Sequence, residues 1–355
     1  MSNRGVVFVS SDYLLDPWLR ELGGDLHLRG YEVIEGPPQR PPAKIEYAAA
    51  DWPRWFGRAD VIVTTTHSII PRELLAAAQR LRGVVFPMTG TESIDMDAAG
   101  DLGIIVAHGP TPENFNSTAE STVMLMLALM YDLHATERVL RDSLPRPTRM
   151  KARLMLGKTI GLIGFGRVAR GIAERLANWG VKIVAFDPYC PKDEVPHGVE
   201  WVEFDTLLAV SDIVSVHTTL SDETRRIIDA EALALMKPSA YLVNTARGGL
   251  VDEAALYDAL LEGRIAGAAI DTYELEPLPE DSPLRTLDNI VLTPHMVGHT
   301  QDVFDAVVST ALDNLARIMK GETPLYCGNP QALPAWRRRV SALGTQGAAP
   351  SAVQQ

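Results

Sequence analysis

The chain has 355 residues, which at roughly 100–200 residues per domain is length for two domains with a core each, so a single small unit is excluded. Forty-five acidic against 33 basic residues leave a formal charge of −12, which opposes sequence-independent adhesion to nucleic acid or anionic lipid. The apolar and charged fractions, 46% and 22%, exclude whole-chain disorder and fibrous repeats, and two cysteines, Cys190 and Cys327, are too few for a disulfide framework or a Cys-rich zinc site.

The first apolar run, at 6–9, is shorter than the core of a signal peptide and reads as a buried strand. A helix through Trp18 and Leu22, a strand at 31–34, a Pro-rich loop at 36–42 and strands at 60–64, 83–86 and 104–106 follow. Next comes a long helix whose opening Ser117 and Glu120 are spaced as a capping box. Its turns at Met124, Leu125, Met126, Leu127, Leu129 and Met130 are apolar nearly all round, which predicts burial between two domains or two subunits. The longest apolar run, 123–131, is about half what a membrane span needs, and no metal-ligand cluster stands out. A soluble, cytoplasmic protein is expected.

The alternation restarts with strands at 159–163, 182–186, 212–216, 241–243, 267–270 and 289–292, so a second parallel sheet is predicted. A last long helix runs from Thr300, a plausible N-cap, to Gly321, a plausible C′ residue, with Val303, Val307, Ala311, Leu315 and Ile318 on one face. It could carry the chain back to the first domain, and the tail after Leu333 reads as weakly ordered. The fold class is thus α/β, with two doubly wound parallel sheets. The first domain spans 1–110 and is completed by about 297–330, the second spans 111–296, and 331–355 is the tail.

The strongest local signal is Gly164-x-Gly166-x-x-Ala169 between a predicted strand and helix, with Asp187 ending the following strand 21 residues after Gly166. Gly164 permits a tight turn, Gly166 lets the backbone approach a pyrophosphate, and Ala169 lets helix and strand pack closely. The helix N-terminus offers free amides to phosphate, and a carboxylate at Asp187 suits the two ribose hydroxyls of NAD while repelling the 2′-phosphate of NADP. An ordinary tight turn with a solvated Asp187 is the competing reading.

Three more predicted strand ends carry chemistry. Asn244, Thr245, Ala246, Arg247, Gly248 and Gly249 form one, in which Arg247 could clamp a carboxylate bidentately or simply make a surface salt bridge. The others are Asp271 through Glu276 and Thr293 through Gly298. If Glu276 meets His295, its charge favours the protonated ring and fixes its orientation, making His295 a general acid for carbonyl reduction and a base in reverse. Taken singly, His295 could be structural and Glu276 solvated.

The segments GFGRVA with Asp187, NTARGG, DTYELEP and TPHMVGHT, in this order and spacing, closely resemble the D-isomer-specific 2-hydroxyacid dehydrogenases over about residues 60–325. The resemblance implies a flavodoxin-like substrate domain and a Rossmann NAD-binding domain around a cleft, acting on a small 2-hydroxy or 2-oxo acid, as a homodimer. It assigns catalytic roles to Arg247, Glu276 and His295. It places NAD contacts at Gly164, Gly166, Arg167, Val168, Asp187, His217, Thr218, Thr224, Thr245, Ala246, Arg247, Asp271, His295 and Gly298. Substrate contacts fall on Thr89, Gly90, Thr91, Arg247 and His295.

Departures from the family pattern are Met88 where a glycine is usual, Thr219 in place of the proline after His217, and no Trp before Gly157. The seven basic residues from Arg138 to Lys158, against only Asp142, could steer an anion or be a solvated connection. Two other readings are an NAD-sensing interaction protein resembling the C-terminal-binding-protein co-repressors of this fold, and a Rossmann methyltransferase, in which the Arg, Glu and His set would have no purpose.

Overall fold

The structure, a computed structural model, describes residues 4–41, 44–191 and 196–346. The chain divides into two units, Met1–Glu113 with Gln301–Gln355, and Asn114–Thr300. No helix among the described residues is long and apolar enough to cross a membrane.

The first unit holds Val6–Val9 (β1), Glu32–Glu35 (β2), Val61–Val63 (β3), Gly83–Val85 (β4) and Ile105–Ala107 (β5), all parallel, in the order β2-β1-β3-β4-β5. The β-branched runs of β1 and β3 are buried on both faces, as a sheet sandwiched between helices requires. Alternate residues serve opposite layers. Val7, Val9, Val61, Val63 and Val85 pack with the helices Asp16–Leu28 and Gln301–Lys320, while Phe8, Ile62, Val84 and Phe86 pack with Arg72–Ala77 and Met96–Asp101. Gly321 ends the long helix at φ 76°, a backbone state that glycine tolerates.

The tail corrects the sequence reading. Leu333–Gln346 is a helix whose Trp336 is fully buried and donates from Nε1 to the Arg82 carbonyl at 2.8 Å. Arg339 donates to the carbonyls of Leu81 at 2.7 Å, Gln79 at 2.9 Å and Ala78 at 3.2 Å, just beyond the end of the Arg72–Ala77 helix, where carbonyls lack intrahelical partners. The first unit therefore runs through residue 346 instead of ending near 330.

The second unit holds Thr159–Ile163 (β6), Lys182–Phe186 (β7), Val199–Trp201 (β8), Ile213–Val216 (β9), Tyr241–Asn244 (β10), Gly267–Ile270 (β11) and Ile290–Leu292 (β12). The order is β12-β11-β10-β9-β6-β7-β8, so strand order reverses between β6 and β9. The first sheet reverses likewise between β1 and β3, and open α/β sheets bind ligands beyond the carboxyl ends of strands at such points.

Two details of the long helix differ from the sequence reading. It spans Pro112–Met130, so Ser117 is internal and is not the N-cap; proline suits a first turn because the amide it lacks would be unpaired there. Ser117 Oγ donates instead to the Gly298 carbonyl at 2.8 Å, and Glu120 pairs with Arg175 at 2.8 Å. Leu125, Met126, Leu129 and Met130 are buried, but Met124 is 52% exposed, so this chain alone does not bury the helix all round.

Candidate active site

The Gly164 turn is built for close approach. Gly164 sits at φ 82°, and a Cβ there would stand 2.7 Å from the Thr218 amide nitrogen and 2.8 Å from the His217 carbonyl carbon. A Cβ at Gly166 would meet nothing within 4 Å, leaving open space before the Arg167–Leu176 helix, whose unpaired amides suit phosphate. Asp187 Oδ2 accepts from the Phe165 amide at 2.9 Å and Oδ1 from the Tyr189 amide at 2.9 Å, so the carboxylate stands beside the glycine turn. These features fit a dinucleotide: a turn only glycine can make, room before a helix N-terminus, and a carboxylate at the next strand end.

His217 and Thr218 back this turn, and the other predicted cofactor residues make local contacts of their own. His217 donates its amide to the Ile163 carbonyl and shares a hydrogen bond of 2.8 Å between Nε2 and Ser215 Oγ. Burial pushes its imidazole down to about 3, so it is neutral at pH 7. Thr224 Oγ1 donates to the Thr219 carbonyl at 2.6 Å and accepts from the Ser221 amide, holding its own turn. Arg167 lies over the Phe115 ring at 5.9 Å, Val168 is half-buried, and Thr245 Oγ1 meets Thr122 Oγ1 at 2.9 Å.

The second cluster lies on the adjacent strands β10, β11 and β12, where Asn244, Ile270 and Leu292 stand in register. Their carboxyl ends therefore carry Arg247, Asp271 to Glu276, and His295 along one edge of the sheet. Buried Asn244 shapes the first turn by accepting from the Ala246 amide at 3.1 Å and donating to the Arg247 carbonyl at 2.9 Å; the Arg247 guanidinium donates to the Ala246 carbonyl at 2.8 Å. Gly248 packs so tightly that a Cβ there would lie 1.9 Å from the Tyr273 carbonyl carbon.

Glu276 and His295 do meet. Oε2 and Nδ1 are 2.8 Å apart, with side-chain exposures of 14% and 31%, so the pair is shielded but reachable. Oε1 of the same carboxylate accepts from the Tyr273 amide at 3.0 Å, and the Tyr273 hydroxyl bonds the carbonyls of Ile270 and Thr293, tying β11 to the His295 loop. Asp271, 3% exposed, accepts on Oδ1 from Thr293 Oγ1 at 2.7 Å and from the amides of Met296 and Val297. Burial pushes the Asp271 carboxyl up, and the Thr293 hydroxyl and His295 charge only partly counter it. His295 itself has φ 55°, rare for a residue with a side chain.

Sequence reasoning missed Asn244, Tyr273 and Thr293 as supports, although each stands inside a motif it singled out. It also missed His108 and Gly109 of the first unit. The His108 ring bonds the Thr89 carbonyl at 2.9 Å, and the Gly109 amide donates to Met88 at 2.9 Å, so the segment after β5 holds the Thr89, Gly90 and Thr91 loop that follows β4. A histidine and glycine just past a strand end were the available signal.

Residues 123–297 match the family described as D-isomer specific 2-hydroxyacid dehydrogenase, NAD binding domain. The chain is 36% identical to a glyoxylate reductase of Thermofilum pendens over 303 residues, covering 81% of this chain and 89% of that one. It is 39% identical to a D-3-phosphoglycerate dehydrogenase of Methanocaldococcus jannaschii over 267 residues, covering 74% of this chain but 50% of the relative, so the chain spans about half the length of such curated relatives. Among solved structures, a glyoxylate reductase from Paecilomyes thermophila superposes with a TM-score of 0.80 at 27% identity, covering 93% of this chain and all of that one. An NAD-dependent formate dehydrogenase from Staphylococcus aureus, in complex with NAD, does so with a TM-score of 0.77 at 28% identity, covering 89% and 96%.

Proposed function

The chain belongs to the D-isomer specific 2-hydroxyacid dehydrogenase family, and on that basis we propose that it is an NAD-dependent oxidoreductase interconverting a D-2-hydroxy acid and its 2-oxo acid. The observation that carries this reading is the 2.8 Å pair of Glu276 and His295 on the sheet edge that also bears Arg247.

Glu276 accepts from Nδ1 and leaves Nε2 as the imidazole nitrogen that gives a proton to the substrate carbonyl oxygen, or takes it from the hydroxyl in reverse. NADH, when bound, supplies the hydride that makes the reduction complete. Arg247 offers a planar fork for the substrate carboxylate, and the family resemblance adds Thr89, Gly90 and Thr91 as substrate contacts. Gly164, Gly166, Arg167, Val168, Asp187, His217, Thr218, Thr224, Thr245, Ala246, Asp271 and Gly298 would hold NAD. The reading includes a cytoplasmic homodimer, and exposed Met124, Leu140, Met150 and Leu156 support a second copy.

The test is loss of NADH absorbance across a panel of 2-oxo acids, with the unaltered protein and with His295→Ala. General acid catalysis is worth about 10²- to 10⁴-fold, so turnover of one acid should fall by that factor while NADH still binds. A variant within about tenfold of the unaltered protein would refute the role of His295. Tight NADH binding with no turnover of any acid would favour a sensing role.

A further inference from the structure

The second unit carries a side-chain bond that neither the proposed chemistry nor the predicted NAD contacts use. Strands β7 and β9 flank β6, and Phe186, Ile163 and Val216 stand level in register at the three carboxyl ends. Asp187, Gly164 and His217 are the next residues, so the glycine turn lies between two walls. Neighbouring strands stand about 4.8 Å apart, which puts those walls about 10 Å from each other. The Tyr189 hydroxyl, beyond β7, donates to Glu223 Oε2, beyond β9, at 2.5 Å. A bond that joins one wall to the other spans the width of the turn between them.

Both ends of this bond are held by their own loops. The Tyr189 amide donates to Asp187 Oδ1 at 2.9 Å, so the tyrosine is anchored on the carboxylate that suits the adenosine ribose. Glu223 belongs to a turn closed by Thr224, whose Oγ1 donates to the Thr219 carbonyl at 2.6 Å and accepts from the Ser221 amide at 2.8 Å. The Arg225 amide closes the same turn on the Ser221 carbonyl at 2.9 Å. The bond to Glu223 and the charge of that group push the Tyr189 phenol up, so it keeps its proton and donates at pH 7. Tyr189 is 76% exposed, so the bond to Glu223, and not packing, sets where its side chain lies.

We propose that Tyr189 and Glu223 form a strap across the adenosine half of the NAD site and slow release of the cofactor. This deepens the cofactor part of the dehydrogenase reading and rests on NAD binding at the Gly164 turn, not on turnover of any acid. Asp187 directs the adenosine to the end of β7, where the strap begins, and the opposite wall at Thr218 and Thr224 is where it ends. With the adenosine between the walls, the bond has to part before the cofactor leaves. It re-forms readily, because Asp187 and Thr224 keep its two loops in place. An ionised acceptor strengthens the bond, while exposure to water limits what it adds.

The experiment measures NADH dissociation from the full chain by stopped flow, chasing bound NADH with excess NAD⁺ and following its fluorescence. Tyr189→Phe keeps the ring and removes the hydroxyl, and Glu223→Ala removes the acceptor; each should raise koff about fivefold. Both break one bond, so the double variant should rise no further than either single variant. A koff within about twofold of the unaltered protein in either single variant overturns the proposal. An additive rise in the double variant overturns it too, because it indicates two separate contacts with the cofactor. Tyr189→Ala separates ring from hydroxyl: a faster koff there with none in Tyr189→Phe means that the ring holds the adenine and no strap exists. If NADH binds but no acid is reduced, only the dehydrogenase reading has failed and koff still decides the strap; if NADH does not bind, the cofactor reading and the strap fail together.

Discussion

Gly248→Ala tests whether the Glu276–His295 geometry depends on the packing beneath it. The new Cβ would stand 1.9 Å from the Tyr273 carbonyl carbon and 2.1 Å from its oxygen. Ordinary contact begins near 3.4 Å, so backbone must yield by about 1.5 Å, and neither partner is the far end of a flexible side chain. Tyr273 is poorly placed to yield, because its amide bonds Glu276 and its hydroxyl bonds Ile270 and Thr293. Overpacking of this kind costs about 1–3 kcal/mol, and a misplacement of about 1 Å can cost about 100-fold in rate. We therefore expect kcat/KM to fall about 100-fold while the Kd for NADH, titrated by calorimetry, changes by less than about threefold. The split of the loss identifies what moved: a fall in kcat indicates the Glu276–His295 pair, and a rise in KM indicates Arg247, the neighbour of Gly248. A folded variant with kcat/KM within about threefold of the unaltered protein would show that this contact does not set the geometry of the pair.

Three further outcomes are expected. His217 is held near 3 against an unfolded value near 6.5, so its contribution to stability is full above about pH 6.5 and is lost as pH falls toward 3; urea unfolding of His217→Asn should show a shallower loss between about pH 6.5 and 4, by up to about 1.4 kcal/mol per pH unit, and equal slopes would contradict burial of the neutral ring. Asp271→Asn keeps an oxygen for Thr293, Met296 and Val297 and removes a charge that burial opposes, so Tm at pH 7 should hold or rise while the Kd for NADH increases about tenfold, and unchanged NADH binding would remove Asp271 from the cofactor contacts. Trp336→Ala empties a fully buried site and should cost about 3–5 kcal/mol in denaturant unfolding, whereas a loss below about 1 kcal/mol would mean that the tail helix is not part of the first core.

Much of both sheets was legible because their strands are short β-branched runs separated by helical periodicity. Predicted bounds at 159–163, 182–186 and 267–270 match β6, β7 and β11. Val199–Trp201 escaped notice because the charged Glu200 interrupts this three-residue edge strand, whereas the equally short Val61–Val63 and Ile105–Ala107 are wholly apolar. The Leu333–Gln346 helix was misread for a different reason. Local composition registers Arg337, Arg338 and Arg339 as solvated charge, whereas Arg339 is held by carbonyls about 260 residues earlier in the chain, and long-range pairing of that kind leaves no local trace. Ser117 illustrates the opposite error, since a capping-box spacing is satisfied inside a helix whenever a serine hydroxyl finds another acceptor, here Gly298. At the site, residue types and order announced Glu276 and His295, but their shared anchor Tyr273 is a tyrosine among several, and only its position under Gly248 singles it out.

The backbone of His295 shows how the loop is maintained. A side-chain-bearing residue at φ 55° costs about 1–2 kcal/mol relative to an ordinary conformation, so the turn persists only if surrounding bonds outweigh that cost. Asp271 supplies three of them through Thr293, Met296 and Val297, and Tyr273 a fourth through the Thr293 carbonyl. Asp271 does so as a buried carboxyl whose ionised form burial disfavours, and a neutral asparagine could bond the same donors without that cost. Loop architecture alone therefore does not account for an aspartate at 271. What the aspartate adds is a negative acceptor beside His295, and under the dehydrogenase reading an N–H of the nicotinamide carboxamide would donate to it.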